Sequence, residues 1–276
     1  MRNAVVGHVE WVECALVDRV PRAGEIAHAR ESFEVPGGGG AIAAVQLARL
    51  GGECTFYTAL GDDELGHRAI EELTRLGVKV EAVIRPGKST RRGFAFLDAH
   101  GERTITVLGE RLGPSGDDAE LPWDELAHAG GVYFVAGDAA ALQAARAARA
   151  VVATARISDL LSTAGVQLDA VVASAADVAE RYTPFEPAPR YVAITSGEHG
   201  GEWTGGDGRT GKWQAVPMPG PAVDAYGAGD SFAGGLAYAL GEGRDIDAAL
   251  ELAARCGATC MTGRGPYGRQ LTASEL

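Results

Sequence analysis

Short apolar runs and helix-patterned stretches alternate along almost the whole chain, and few architectures accept that rhythm. Ala4–Gly7, Thr55–Ala59, Val132–Val135, Val151–Thr154, Ala170–Ala173 and Tyr191–Thr195 read as short strands. Ala41–Leu50, Asp63–Leu76, Ala139–Arg149, Phe232–Leu240 and Asp245–Thr262 read as helices, and in Asp63–Leu76 the residues Leu65, Ile70, Leu73 and Leu76 share one face. Apolar strands separated by helices imply an α/β fold with a mostly parallel central sheet, flanked by helices on both faces. Two pieces fall outside that pattern. Glu10–Val35 is extended and partly polar, and Gly93–Asp98 with Arg103–Leu108 reads as a hairpin around Ala99-His100-Gly101-Glu102. Segments 10–35 and 91–110 are therefore expected to form a small β lid over one end of a single domain running 1–276.

Composition removes several function classes. A net charge of −12 argues against nucleic acid as a partner and requires any polyphosphate site to build its own positive field. No run approaches the ~18 apolar residues of a membrane helix. Met1-Arg2-Asn3 leads directly into a strand without signal-peptide architecture, so a cytoplasmic protein with no membrane partner is expected. The four cysteines, Cys14, Cys54, Cys256 and Cys260, make no CxxC, and Cys256 and Cys260 read as buried thiols on one helix face.

The segment Val223-Asp224-Ala225-Tyr226-Gly227-Ala228-Gly229-Asp230-Ser231-Phe232 carries the most chemistry. A glycine-rich turn opening a helix presents unpaired amides and a partial positive charge, a seat for an anion. Asp230 beside it gives the pairing phosphoryl transfer needs, a charge cradle and a base. The competing local reading is an ordinary helix start with Asp in the first turn. A second glycine-rich helix start, Gly37–Gly40, lies far away in sequence. In an open α/β sheet such loops converge beyond the carboxyl ends of the strands, one serving phosphate and the other substrate. Other matches fail on context. Gly206 to Trp213 fits GxxxxGK, but Trp213 stands where Ser or Thr must hold magnesium. Gly87-Lys88-Ser89 lacks the first glycine, which Ala82 replaces. Gly38-x-Gly40-x-x-Ala43 follows a polar segment rather than a buried strand, which disfavours a Rossmann oxidoreductase.

These residues carry a resemblance. Gly37-Gly38-Gly39-Gly40-Ala41-Ile42-Ala43-Ala44, then Leu50-Gly51-Gly52 and Leu60-Gly61-Asp62-Asp63-Glu64-Leu65-Gly66, match one signature of the ribokinase-like (PfkB) family of carbohydrate and nucleoside kinases. Asp224-Ala225-Tyr226-Gly227-Ala228-Gly229-Asp230-Ser231-Phe232 is similar to its other signature, D-T-T-G-A-G-D-x-F. The resemblance runs from about Val5 to Gly265. It implies Asp230 as catalytic base, with the amides of Gly227, Ala228 and Gly229 as the anion hole. Thr195-Ser196-Gly197-Glu198-His199-Gly200 would be the nucleotide loop, with Thr195, Ser196, Gly197 and Gly200 at ATP. Asp224 would lie near a monovalent cation such as K+, Ala253–Gly257 would flank adenine, and Gly38 and Gly39 would contact the acceptor.

The departures from the family pattern bear on the acceptor. Asn3 is the chain's one asparagine. Ile42 therefore stands where the glycine-rich signature has Asn, and Ser174-Ala175-Ala176-Asp177 stands for N-x-x-E, leaving Asp177 to organise Mg2+. Val12 replaces the acid late in the first strand. Glu10, on the same strand face, is the candidate replacement, and a solvated lid carboxylate is the competing reading. Arg91, Arg92 and Arg103 are candidates to reach the cleft, against the alternative of exposed hairpin charges. Such a pocket is expected to bind plain ribose or fructose poorly. It should prefer an acceptor with an apolar face, a base, or an anionic substituent held by arginines. The expected activity is ATP- and Mg2+-dependent phosphorylation of a hydroxyl on a small carbohydrate-like acceptor, with homodimerisation through the lid left open. The alternatives are a nucleoside kinase and a non-catalytic sugar or nucleotide sensor. An intact Asp230 with its anion hole favours the enzyme.

Overall fold

The computed structural model describes residues 1–99 and 103–276, so the expected turn at Ala99-His100-Gly101-Glu102 lies, beyond Ala99, outside the described residues. The chain runs β1 (Asn3–Val6), β2 (Glu10–Leu16), β3 (Glu31–Gly37), α1 (Gly39–Gly51), β4 (Cys54–Gly61), α2 (Glu64–Arg75), β5 (Lys79–Arg85), β6 (Arg92–Leu97) and β7 (Arg103–Leu108). It continues through β8 (Gly131–Phe134), α3 (Ala139–Ala145), β9 (Ala150–Thr154), α4 (Ser158–Ala164), β10 (Ala170–Ser174) and β11 (Tyr191–Thr195). Last come β12 (Gly201–Gly205), β13 (Thr210–Trp213), α5 (Ala228–Gly241) and α6 (Ile246–Cys260).

Nine strands form the main sheet in the order β13-β12-β11-β10-β9-β8-β1-β4-β5. From β5 to β11 every pairing is parallel, and β12 and β13 close one edge as an antiparallel hairpin. The alternation of side chains divides the core. Val5, Phe56 and Tyr133 pack with Leu47, Leu236 and Leu250 of α1, α5 and α6. Ala4, Val6, Val132 and Phe134 pack on the other face with Leu142 and Leu161 of α3 and α4. Both faces being covered is what lets these strands dispense with a polar side. Among the described residues, no helix is long and apolar enough to cross a membrane.

Differences from the sequence reading sit at edges. The stretch Gly206–Trp213, which fits GxxxxGK, belongs to the β12–β13 hairpin, whose short, glycine-interrupted strands bury mainly Trp203. The helix expected to reach Arg149 ends at Ala145, because the chain must already turn to enter β9 at Ala150. Edge strand β5, with its mixed polar sequence, escapes an apolar-run criterion altogether.

The lid is a separate four-stranded sheet, β3-β2-β6-β7, mixed rather than purely antiparallel because β2 and β6 run parallel. Val12, Cys14, Ala95 and Leu97 of the lid form one apolar cluster with Ile42 of α1 and Tyr226, just ahead of α5. That cluster seats the lid on the carboxyl-end side of the main sheet. Asp63 makes a second tie. It caps α2 by accepting from the Gly66 amide at 2.9 Å and also takes the Thr90 amide at 2.7 Å and hydroxyl at 2.6 Å, just before β6. Replacing Asp63 with Ala removes the cap and the Thr90 tie together, with an expected loss of about 2 kcal/mol in urea unfolding. An unchanged unfolding midpoint would show that these bonds contribute nothing net.

Candidate active site

The parallel strands end together under the lid, and a cavity of about 390 Å³ opens there. Its floor is set by the strand ends and the residues just beyond them: His8 after β1, Val135 after β8, Thr154 of β9, Ser174 of β10 and Thr195 of β11. Lid residues Glu10, Arg103, Ile105 and Val107 roof it, with Arg91 and Arg111 from the flanking loops.

Two helix starts meet in this cavity. Gly38, with φ 87°, caps α1, and Gly227, with φ 88°, caps α5; only glycine adopts that left-handed backbone without strain. The approach is close enough that a Cβ on Gly39 would lie 2.6 Å from Asp230 Oδ1, and one on Gly227 would lie 2.9 Å from Ile42 Cγ2. The glycines at these positions are thus a condition of the two motifs meeting. Amides in the first turn of α5 have no intrahelical carbonyl to bond. Ala228 is the exception in part, its amide reaching the Ala225 carbonyl at 3.3 Å. Gly229 faces open space: nothing lies within 4 Å of where its Cβ would be. Asp230 is half-buried in the cavity wall, and its pKa is pushed up to about 6. Burial is the chief cause, with Arg103 and Arg156 pulling the other way and Glu180 and Glu10 adding to the rise.

Charge in the cavity is organised by four arginines, Arg91, Arg103, Arg111 and Arg156. Arg156 pairs with Asp177 at 2.6 Å and Glu180 at 2.7 Å, and Arg91 lies 3.3 Å from Glu10. Arg103 and Arg111 have no ion pair among the described residues; the Arg103 guanidinium lies 5.0 Å over the Tyr226 ring. Glu10 is 7% exposed and faces the cavity, so the solvated-lid reading of this carboxylate is overturned. Burial raises its pKa against the pull of Arg91, Arg111 and Arg103. Ile42 gives the cavity an apolar wall, while Val12 is fully buried in the lid cluster behind it and does not line the cavity. Arg92, read as able to reach the cleft, is exposed and stands away from it.

Asp177 lines the same cavity but is committed. Its Oδ1 accepts from the Ala179 amide at 2.9 Å and its Oδ2 from Arg156, which together hold its pKa down although burial opposes them. Arg156 bonds Glu180 through Oε1 and leaves Oε2 outside the pair. No cluster of three metal-ligating side chains occurs among the described residues. This donor set fits a metal arriving on a phosphate and held through its water shell, not one gripped directly by the protein. Asp224 is buried away from the cavity lining, with both oxygens taken by backbone amides, Tyr226 at 2.9 Å and Gly265 at 2.7 Å. In this structure it clamps the loop entering α5. Thr195 lines the cavity, while Ser196, Gly197 and Gly200 lie in the turn just beyond it.

Sequence reasoning did not find His8, Arg111, Arg156 or Glu180. His8 and Arg156 come just after β1 and β9, at the carboxyl edge of the main sheet where ligands collect, Arg111 follows the lid strand β7, and Glu180 stands one turn past Asp177. That position was the available signal.

A model described as pfkB family carbohydrate kinase matches residues 1–179 and 123–272. The chain is 32% identical to an ATP-dependent ribose-1-phosphate kinase of Halopiger xanaduensis, across 94% of this chain and 91% of that one. It is 27% identical to a ribokinase of Bacillus subtilis, covering 100% and 98%. The fold is similar to that of Arabidopsis thaliana ribokinase complexed with ribose and ATP, with a TM-score of 0.76 at 20% identity over 99% and 96% of the two chains.

The raised pKa of Asp230 has a consequence for stability that needs no assumption about activity. Between its ordinary value near 4 and about 6 the folded state holds a proton that the unfolded chain has released. Stability from this group is therefore present below pH 4 and lost as pH rises through 6. Asp230→Asn should raise the melting temperature at pH 7–8, and the gain should fade toward pH 4. A destabilised Asn variant at pH 8 would show that the carboxylate is held by partners, not strained by burial.

Proposed function

The chain belongs to the pfkB family of carbohydrate kinases, and we propose that it moves the γ-phosphoryl group of ATP onto a hydroxyl of a sugar phosphate. The observation that carries the acceptor class is the pair Arg103 and Arg111. The other two cavity arginines are matched to acids, whereas these two face the cleft without an ion pair among the described residues. Two unmatched guanidinium groups beside an apolar wall suit a dianion better than a neutral sugar. The name of the 32% identical Halopiger protein, a ribose-1-phosphate kinase, gives one instance of a phosphorylated acceptor.

On this reading the hydroxyl lies between Gly38–Gly39 and Asp230. A carboxylate with a pKa of about 6 is ionised at neutral pH yet basic enough to take or orient the hydroxyl proton. The free amides of Gly227 and Gly229 and the positive end of α5 face the oxygens of the moving group. Lid closure excludes water, so these charges act in a lower dielectric. Magnesium, when bound with ATP, would offset charge on the transferring phosphoryl; Asp177 and Glu180 would hold its water shell. Thr195, Ser196, Gly197 and Gly200 would carry the nucleotide, and Asp224 would shape the loop at which a monovalent cation sits.

Transfer is followed by phosphorus NMR with ATP and a panel of ribose, fructose, ribose 1-phosphate, fructose 6-phosphate, adenosine and cytidine. A sugar phosphate should exceed its free sugar in kcat/KM by about 100-fold, the worth of two charge-assisted contacts. Asp230→Asn should cut kcat by about 10²–10⁴-fold while ATP still binds, and wild-type kcat/KM should rise with pH through about 6. Free ribose or fructose as the best acceptor at micromolar KM would overturn the acceptor class, and so would a nucleoside as the best acceptor.

A second variant separates docking from folding. Because a Cβ at position 229 meets nothing within 4 Å, Gly229→Val should leave the melting temperature within about 2 °C. The same change should cut turnover at least about tenfold by crowding the phosphoryl seat. A large drop in melting temperature, or full activity, would contradict that seat.

A further inference from the structure

The kinase reading leaves one buried group unused. His8 comes just after β1, is 7% exposed and lines the cavity beside Glu10 and Gly38. Its Nδ1 is enclosed with no hydrogen-bond partner among the described residues, and so is Arg91 Nε, which lies 3.3 Å from Glu10 Oε2 without the alignment of a hydrogen bond. Burial, reinforced by Arg111, Arg91 and Arg156, drives the His8 pKa down to about 3, so the ring is neutral under any physiological condition. A neutral imidazole carries one N–H and one lone pair. Near three guanidinium groups the enclosed Nδ1 is better as the lone pair, which places the proton on Nε2. That nitrogen lies against the glycine turn. A Cβ on Gly38 would sit 3.3 Å from Nε2 and 3.2 Å from Cδ2, so a side chain there would press on the ring.

A buried polar atom without a partner lowers stability, and such groups persist where function requires them. We infer that His8 is a specificity-determining residue of the acceptor site, donating from Nε2 to an acceptor oxygen held at Gly38–Gly39. With Val12 and Ile42 both apolar, the polar grip has moved to the end of β1, where His8, Glu10 and Arg91 stand together. The inference rests on the sugar phosphate kinase reading, since it assigns a contact to that reading's acceptor.

The test uses the full-length protein with ribose 1-phosphate as probe. His8→Leu fills a similar volume without a donor. It should raise the acceptor KM about tenfold, the worth of one hydrogen bond, with kcat within about threefold and the KM for ATP within about twofold. Its melting temperature should hold or rise, because an unpartnered nitrogen has been removed. His8→Asn restores a donor and should recover part of the acceptor KM; it carries the same test if the Leu variant does not fold. An unchanged acceptor KM, or a melting temperature that falls while KM stays put, makes His8 structural and overturns this inference while the kinase reading stands. If the unaltered protein neither binds nor phosphorylates any sugar phosphate, both fall together.

Discussion

Everything in the site depends on how closely two helix starts approach. The first turns of α1 and α5 come from segments nearly two hundred residues apart, yet they leave no room for a side chain between Gly39 and Asp230. That contact sets the position of the carboxylate, the direction of the α5 amides and the width of the cleft between them. It is possible because α1, which follows the lid strand β3, and α5, which follows the edge hairpin, pack against each other over the main sheet, with Gly234 of α5 set directly against Ala43 of α1. The lid then closes on the same point through the cluster of Val12, Cys14, Ala95 and Leu97 with Ile42 and Tyr226.

In a chain of net charge −12, four arginines from separate elements gather at one cavity. Their division of labour is the informative part. Arg156 is spent on Asp177 and Glu180, Arg91 on Glu10, and Arg103 with Arg111 are left facing the cavity. Burial, reinforced by the arginines, keeps His8 neutral, and Arg103 and Arg156 limit the burial-driven rise in the pKa of Asp230. Ile42 gives one side of the cavity an apolar wall, and charged side chains line the other. A change of acceptor class accords better with that arrangement than a loss of activity does.

Much of this was legible in the chain alone. The amphipathic stretch Asp63–Leu76 appears as α2 because its apolar spacing is strong and its Asp63 cap is unambiguous. Residues Gly37–Gly40 and Gly227–Asp230 stood out through their match to two family signatures, since an ordinary helix start explains either motif taken alone, and the structure brings the two to one cavity. The edge hairpin β12–β13 was hidden by its glycines, and β5 by its charges, since neither has a continuous apolar run. Glu10 was ambiguous because strand alternation says which face a residue takes, not what covers that face. Arg111, Arg156 and His8 were missed for a related reason, their place after a strand being too common a signal to single them out. Their significance lies in what they face across the cavity, which one-dimensional spacing does not record.

The most direct measurement is a crystal structure with ribose 1-phosphate and a non-hydrolysable ATP analogue bound together. The sugar phosphate group is expected between Arg103 and Arg111, with one sugar hydroxyl within hydrogen-bond distance of Asp230 and the analogue's terminal phosphate at the Gly227–Gly229 amides. A sugar phosphate bound elsewhere, or an acceptor hydroxyl out of reach of Asp230 with the nucleotide in place, would contradict the proposed chemistry.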